Sequence, residues 1–355
     1  MYFIRCFLFF FVLMPAAYSL EYSYQFSLGS NITYIESSTQ QARSFGIAPS
    51  AFIDLKISEE FKFFSQSSAL LETGSHKGTL LDEFKPAQQV VLNYAFFDYT
   101  PWTKAHVKFG ALPMDDWTPD IHISATRFFG ASFIQAFPLW ADASMTFKTL
   151  GAIPSNQELT NRLGNVSEGT PSYWQSGLDL DMPGDILGIK LQGYLWGYSD
   201  VDGNVAFQSG FMGNQTVGIG SANTRLAYKF RGYAGSFLLN GMIGQFNWGL
   251  GSDYIFNDSA PDERNQALQV NTILGYDKHL ATFSWYEVES DSVIGYYNSA
   301  LRGHTNRDGI ALKYEYKASD KMEFGFEIVS AKVKKATLLQ SDQDGATLWW
   351  NINLE

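Results

Sequence analysis

Residues 22–34 read YSYQFSLGSNITY, and this stretch decides the fold class. Apart from Ser30, its even positions carry large apolar side chains, and its odd positions carry small or polar ones. Because successive side chains of a β-strand point to opposite faces, this alternation predicts a strand with one apolar face and one wet face. The pattern returns at 187–196, 268–274, 310–316 and 348–354. The chain is therefore predicted to consist largely of such strands.

Applied along the whole chain, the same criterion predicts sixteen strands. Their predicted bounds are 22–35, 43–57, 60–71, 88–99, 104–112, 129–138, 141–151, 173–182, 186–198, 219–230, 233–246, 265–276, 280–289, 306–317, 321–333 and 346–355.

Short and long connections alternate between these strands. The short ones carry Gly, Pro, Asp and Ser, as hairpin turns require, and they are Ser58-Glu59, Thr100–Thr103, Pro183–Asp185, Arg231-Gly232, Asp277–His279 and Ala318–Asp320. The long ones are 72–87, 113–128, 152–172, 199–218, 247–264, 290–305 and 334–345.

An even number of strands with short turns at one end and long loops at the other is typical of a transmembrane antiparallel up-and-down β-barrel. In lipid the backbone has no water to bond, and a closed barrel is the only sheet without open edges. Rings near strand ends, such as Trp102 and Tyr276, fit the interfacial positions that aromatic residues prefer. A soluble β-propeller or a secreted sandwich is the rival fold. The propeller would show blade repeats, which we do not find, and the sandwich would show a cored sheet with polar outer faces.

The amino-acid composition excludes several classes of protein and of site. Charged residues make up 17% of the chain, below the ~25% usual for soluble domains. The net charge of −11 argues against a nucleic-acid partner, which would require a basic face. The single cysteine, Cys6, excludes a disulfide framework and a cysteine-based metal site.

The first nineteen residues resemble a secretory signal peptide. Met1–Arg5 carries one positive charge, Cys6–Met14 is apolar, and Ala17 with Ser19 fits a small-residue cleavage site. We therefore expect a signal peptide at 1–19 and a mature barrel at 20–355, with an uncleaved anchor as the alternative. A mature secreted chain without cysteine fits the bacterial envelope, so we expect it in the outer membrane.

The hairpin from Tyr94–Trp102 (YAFFDYTPW) to Val107–Pro113 (VKFGALP) resembles a hairpin of phosphate-selective and related porins. As an architecture the whole mature chain resembles the sixteen-stranded bacterial porins. That resemblance implies a homotrimer in a bilayer with lipopolysaccharide, inserted by the outer-membrane assembly machinery. It also implies a third outer loop that folds into the lumen. The last residue, Glu355, departs from the family, whose chains usually end on an aromatic.

The connection between the first two predicted strands counts as the first outer loop, so the third is 113–128. This third loop carries the predicted selectivity site. Its candidate constriction residues are Asp115, Asp116, Asp120, His122 and Arg127. A cluster of carboxylates in a narrow channel favours cations through its local field. Alternatively, these aspartates are turn and cap residues that bond nearby backbone N–H groups.

The polar positions of the alternating strands are predicted to point into the lumen and to form the wall that faces the third outer loop. Its basic members are Lys108, Lys148, Lys190, Arg225, Lys229 and Lys313. An acidic loop facing this basic wall would set up a transverse field across the channel. Two alternatives remain open: the basic residues mark an anion route, or lumen charges pair among themselves.

The sequence thus predicts a porin for passive diffusion of ions and small hydrophilic solutes, with a mild cation preference and no cofactor. The alternatives are an anion-, phosphate- or sugar-selective porin and a non-conducting structural or adhesin barrel. A sugar channel would use the inward rings of Tyr194, Trp196, Tyr286 and Trp349. We expect no enzyme, because the sequence contains neither a G-x-S-x-G nor an H-E-x-x-H motif, and the alternative is a site at His76, His122 or His304, which lie in or beside outer loops with Asp nearby.

Overall fold

The computed structural model describes residues 21–78, 84–124, 126–140, 142–156, 169–184, 186–220 and 223–354. The predicted signal peptide at 1–19 lies outside the described residues, as do Asp185, Glu355 and parts of the predicted loops 72–87 and 152–172. In the part of the chain that is described, no helix is long and apolar enough to span a membrane.

The strands are β1 (Glu21–Ser37), β2 (Gln40–Lys56), β3 (Phe61–Gly78), β4 (Gln88–Tyr99), β5 (Ala105–Pro113), β6 (Arg127–Pro138), β7 (Ser144–Ile153), β8 (Ser172–Met182), β9 (Leu187–Ser199), β10 (Thr216–Val217), β11 (Arg225–Leu226), β12 (Arg231–Ile243), β13 (Phe246–Asn257), β14 (Gln266–Tyr276), β15 (His279–Val288), β16 (Arg307–Ser319), β17 (Met322–Val333) and β18 (Gln343–Leu354). A helix, α1, spans Gly203–Phe211, and a 3-10 helix spans Gly295–Tyr297.

Sixteen of these strands form one closed antiparallel barrel, as predicted. Neighbours in the chain are neighbours in the sheet, and β9 pairs with β12 across the intervening segment. The ring closes where β1 pairs with β18, from Phe26 opposite Leu354 to Ser37 opposite Gln343. The small strands β10 and β11 pair only with each other.

Alternation places apolar side chains on the outside of the barrel. Ile32 and Leu348, paired across the closure, are 48% and 47% exposed, and most other outward positions of the barrel are also apolar. The largest buried cluster lies inside the ring, where loop residues such as Trp117 pack on strand residues such as Trp196. The outer surface of the barrel is therefore largely apolar, which is the arrangement a lipid surrounding requires.

The two ends of the barrel differ. At the short-turn end lie the connections 57–60, 100–104, 139–143, 183–186, 244–245, 277–278 and 320–321. At the long-loop end lie loops 1 to 8, which span 38–39, 79–87, 114–126, 154–171, 200–230, 258–265, 289–306 and 334–342.

Two strand predictions are wrong, and they cancel in the count. Residues 219–230 form no barrel strand; they belong to loop 5, where only Arg225–Leu226 pairs, with β10. Conversely, the predicted loop 247–264 contains most of β13, and the predicted turn at Arg231-Gly232 is the start of β12. The true turn is 244–245, where Gly244 takes a φ of 63° that glycine adopts at little cost.

Candidate functional site

Loop 3 enters the barrel and lies against the inner wall. Its residues Met114, Trp117, Ile121 and Ile123 are all buried. The side chain of Gln175 on β8 donates a hydrogen bond from Nε2 to the carbonyl oxygen of Trp117 at 2.9 Å. Apolar burial and a satisfied carbonyl together fix the loop on the β8–β9 side of the lumen.

Loop 7 holds the other flank of loop 3. The Asn298 side chain donates from Nδ2 to the carbonyl oxygen of Ile121 at 2.6 Å, and the backbone N–H of Ser124 donates to the carbonyl oxygen of Tyr297 at 2.8 Å. The layer of loop residues inside the barrel is therefore built by two loops that are far apart in the sequence.

His122 lies inside this packing and is almost completely buried. Its Nδ1 atom is 3.0 Å from the hydroxyl oxygen of Tyr194, and its ring centroid is 4.5 Å from that of Trp196. Burial lowers the pKa of the imidazole to about 3, because the charged form is desolvated. The structure thus places His122 as a neutral anchor of loop 3, away from the open lumen.

Asp115 and Asp116 lie on the opposite side of loop 3 and are exposed. Both line a cavity of about 1170 Å³ at the long-loop half of the barrel. Although its surface reaches solvent, Asp115 is partly desolvated inside the barrel; this desolvation, and next the neighbouring charge of Asp116, raise the pKa of Asp115 above the usual aspartate value. Asp120 is also exposed but belongs to a different part of the loop surface.

The third charged group of this cavity is Arg127, at the start of β6. Among the described residues that line the cavity, two carboxylates thus accompany one guanidinium. The β3–β4 wall contributes uncharged side chains, including Gln66, Asn93 and Tyr94. The local charge balance in this cavity is therefore negative by one unit.

The predicted basic wall is largely engaged in pairs. Lys148 forms an ion pair with Asp179, Lys190 with Asp181 at 3.4 Å, and Lys313 with Glu315 at 2.8 Å. Lys108 and Lys313 lie over the rings of Phe96 and Trp349, at 5.1 Å and 5.5 Å from their centroids. This arrangement matches the alternative in which lumen charges pair among themselves.

Arg225 and Lys229 lie elsewhere than predicted. In the predicted strand 219–230, both residues would point inward from the barrel wall. In the structure both belong to loop 5, and both are exposed there. The backbone carbonyl of Lys229 accepts a hydrogen bond from Asn257 Nδ2 at 3.0 Å, which ties the end of loop 5 to β13.

Three of the rings considered for a sugar route are covered. Tyr194, Trp196 and Tyr286 point inward as predicted, but all three are buried beneath loop residues. They therefore anchor loops and offer no open face to a solute. Trp349 is only partly buried, and the Lys313 ammonium lies over its ring.

Loops 5 and 7 interlock in a way that the alternation of the sequence does not reveal. Asn214 donates from Nδ2 to the carbonyl oxygens of Ser290 and Val293, at 2.5 Å and 2.8 Å. Its Oδ1 atom accepts from the backbone N–H of Gly295 at 2.6 Å. One buried carboxamide thus joins the two loops that form the roof of the cavity. An isolated Asn in a loop carries no sequence signal for such a contact.

The histidines considered for catalysis are dispersed. His76 lies 3.3 Å from the side-chain amide of Gln40, and His304 bonds the carbonyl oxygen of Gly295 at 2.9 Å. His106 pairs with Asp98 at 3.0 Å near the short-turn end. Within the described ranges, no group of three His, Cys, Asp or Glu residues is placed to hold a metal ion.

A second cavity, of about 410 Å³, opens at the short-turn half of the barrel. It is lined by small polar side chains of β1, β2, β3 and β18 and by charged residues of the β16–β17 turn. Gln66 and Asn93 line both this cavity and the larger one. The two cavities therefore adjoin inside the ring.

No protein-family model matches the chain, and no curated protein matches it in sequence. Solved structures do match its fold. OprB of Pseudomonas putida at high pH aligns with a TM-score of 0.62 and 11% identity over 94% of each chain. Salmonella typhi OmpF in complex with daunomycin aligns at 0.51 and 11%, over 94% of this chain and 97% of that one.

A mutant of the Rh. blastica porin aligns with a TM-score of 0.50 and 8% identity, over 94% of this chain and 100% of that one. These structures are bacterial porins, and the chain shares their closed sixteen-stranded fold. At such low identity the likeness extends to the fold alone.

Proposed function

We propose that this chain is a bacterial outer-membrane porin, a water-filled channel for passive diffusion of ions and small hydrophilic solutes. The single observation that carries the proposal is a pair of adjoining cavities, the larger of mixed lining and the smaller mostly polar, inside a closed ring whose outer face is apolar. An apolar exterior suits a lipid bilayer, and a hydrated interior of sixteen strands suits an aqueous path.

The proposed cation preference is mild and comes from loop 3. Asp115 and Asp116 outnumber Arg127 in the larger cavity, so the local field attracts cations more than anions. The lysines of the wall do little to oppose this field, because Lys148, Lys190 and Lys313 each have an acidic partner. The same pairing speaks against an anion or phosphate route.

Several features of the proposal rest on the fold shared with porins. These are assembly as a homotrimer, contact with lipopolysaccharide and insertion by the assembly machinery; removal of residues 1–19 as a signal peptide is proposed from the sequence of that segment. The apolar outer face provides the surface that lipid and neighbouring subunits would share.

Conductance of the purified mature chain in a planar bilayer tests the proposal directly. We expect stable open steps in groups of three, and a reversal potential of cation-selective sign under a tenfold KCl gradient. Folded protein that inserts but gives no conductance would refute the porin and favour the structural or adhesin barrel. An anion-selective sign would retain the channel and refute the role given to loop 3.

A further inference from the structure

The two cavities inside the barrel meet at one place. The larger cavity lies under loops 3 and 7, and the smaller one lies towards the short-turn end. Of the described residues, Gln66 on β3 and Asn93 on β4 line both cavities. A solute that passes from one cavity to the other therefore moves beside these two carboxamides.

A β-bulge sets the direction of the Asn93 side chain. In the pairing of β3 with β4, Gln66 lies opposite Tyr94 but Ser67 lies opposite Leu92, so the register shifts between them. Asn93 is thereby the extra residue of β4, without a Cα partner on β3. A bulge of this kind changes the side-chain phase locally and redirects the residue that it releases.

Hydrogen bonds then hold the Asn93 side chain on the wall. Its Nδ2 atom donates to Ser68 Oγ at 2.7 Å, and Ser68 Oγ lies 2.8 Å from Ser50 Oγ. This chain of polar groups crosses from β4 through β3 to β2. The carboxamide is therefore placed by two neighbouring strands, and a placed group can impose a size limit that a mobile one cannot.

The side chains that hold the junction are uncharged, although the charges of Asp115 and Asp116 act on Tyr94, which lies opposite Gln66. Ser50 and Ser68 lie beside Asn93, whereas the charged residues of the smaller cavity belong to β16, β17 and the turn between them. Asp115 and Asp116 lie in the larger cavity only. Carboxamides both donate and accept hydrogen bonds and carry no net charge.

We infer that Gln66 and Asn93 form the selectivity throat of the channel. The throat sets the size limit and favours neutral solutes that exchange hydrogen bonds with water for bonds with amides, such as polyhydroxylated or amide-bearing molecules. Ion preference is set separately, by the aspartates of loop 3. This inference rests on the proposed function, because a throat has meaning only in a conducting barrel.

Cysteine substitution followed by thiol modification tests the throat, and the chain suits it because its single cysteine, Cys6, precedes the barrel. The test variants are Gln66→Cys and Asn93→Cys. The matched controls are Gln89→Cys, a glutamine that lines only the larger cavity, and Asn351→Cys, an asparagine that lines only the smaller one. Each variant is treated in the bilayer with a methanethiosulfonate that bears a trimethylammonium group.

Modification at positions 66 and 93 should lower single-channel conductance at least about twofold, with recovery under a reducing agent, and should do much less at 89 and 351. Equal block at all four positions, or stronger block at a control, would overturn the throat. Wild-type conductance would persist in that case, which separates failure of the throat from failure of the porin itself. A silent wild type would refute both.

A charge substitution of unchanged size covers the case in which the cysteine variants fold poorly. Asn93→Asp should shift the reversal potential towards cations more than Asn351→Asp does. In liposome swelling with uncharged sugars of graded size, Gln66→Ala with Asn93→Ala should admit larger solutes at unchanged ion preference. An unchanged size limit together with equal shifts from the two aspartates would overturn the inference.

Discussion

The imidazole of His122 in loop 3 stacks on the phenol ring of Tyr194 in β9, with the centroids 5.9 Å apart and the planes inclined by 13°. The His122 Nδ1 atom and the Tyr194 hydroxyl oxygen lie 3.0 Å apart, so a hydrogen bond joins the same two rings. A loop that would otherwise sample the lumen is thereby fastened to the barrel wall. The contact has consequences for pH, because its histidine is held neutral.

Acidification should release loop 3 from the wall. The pKa of His122 is about 3 when the loop is docked, against 6.5 ordinarily, so only the undocked loop takes up the proton. The free energy that favours docking of loop 3 is largest above pH 6.5. Below pH 6.5 it falls by up to about 1.4 kcal/mol per pH unit, until the pH reaches the pKa of the docked histidine. Hydrogen exchange of residues 114–124 at pH 7 and pH 4 measures the effect.

The control for this experiment is His122→Phe, which keeps a ring but removes the titrating group. Its loop 3 exchange should depend on pH less than that of the wild type. His279→Phe, at the exposed histidine of the short-turn end, should leave the wild-type dependence intact. An equal pH dependence in His122→Phe would show that another group controls docking.

Neutralising the acidic pair should weaken the cation preference. Asp115→Asn with Asp116→Asn removes two charges from the larger cavity and leaves Arg127 in place. The reversal potential under a KCl gradient should move towards zero or change sign. Asp120→Asn removes one charge outside the described lining residues and serves as the control, which should shift the potential less. An unchanged potential in the double variant would remove these aspartates from the constriction.

On acidification, the cation preference should begin to decline at a higher pH than it would if Asp115 had the pKa of an ordinary aspartate. Burial and the charge of Asp116 raise the pKa of Asp115, so on acidification it binds a proton, and loses its charge, before the usual aspartate range is reached. Reversal potentials recorded from pH 7 downwards should reveal this step. The step should be missing in Asp115→Asn, and its persistence there would assign it to another carboxyl.

Removing the Gln175 side chain should loosen loop 3, and it also takes the acceptor from the buried Tyr173 hydroxyl on β8. Gln175→Ala leaves the buried Trp117 carbonyl without its donor at 2.9 Å, at a cost of about 1–3 kcal/mol to loop docking. Single-channel records should then show more frequent brief closures. Gln135→Ala, which removes an exposed bond to Trp102, should not change them. Equal closure rates in the two variants would contradict the anchoring role.

A glycine in the hairpin of β4 and β5 should prove essential for folding. Gly110 has a φ of +137°, and an added Cβ would lie 2.3 Å from the Ala95 carbonyl oxygen and 2.8 Å from Phe96 Cα. Gly110→Ala should therefore lower the folded fraction, read on unheated electrophoresis gels. Gly193→Ala is the matched control, because nothing lies within 4 Å of its Cβ position. Similar folded fractions would show that the hairpin can adjust.

The sequence was sufficient for the barrel because one local rule, alternation, governs each strand. It failed at 219–230, where Arg225–Phe230 alternates like a strand but is retained in loop 5. It also missed β13, because the turn at Gly244 interrupts a run that is apolar on both sides. Alternation describes a surface with two faces, and cannot tell a barrel strand from a short loop hairpin.

Only part of the candidate site could be located from the sequence. Loop 3 and its aspartates could be located by counting connections, and the structure places Asp115 and Asp116 against a cavity. The burial of His122, and the position of Asn93 at a bulge, follow from contacts between distant segments. Such contacts depend on the register and packing of the assembled ring, which no local pattern encodes.

The pairing of β1 with β18 also determines when during biosynthesis the barrel can close. Thr33 and Thr347 stand side chain to side chain across the closure although 314 positions separate them in the chain. The first strand emerges early in biosynthesis, yet its partner is the last strand to be synthesised. Until then both edges of the sheet are unpaired and open to other chains. A copy that lacks β18 therefore cannot close this ring, and its sheet keeps two unpaired edges.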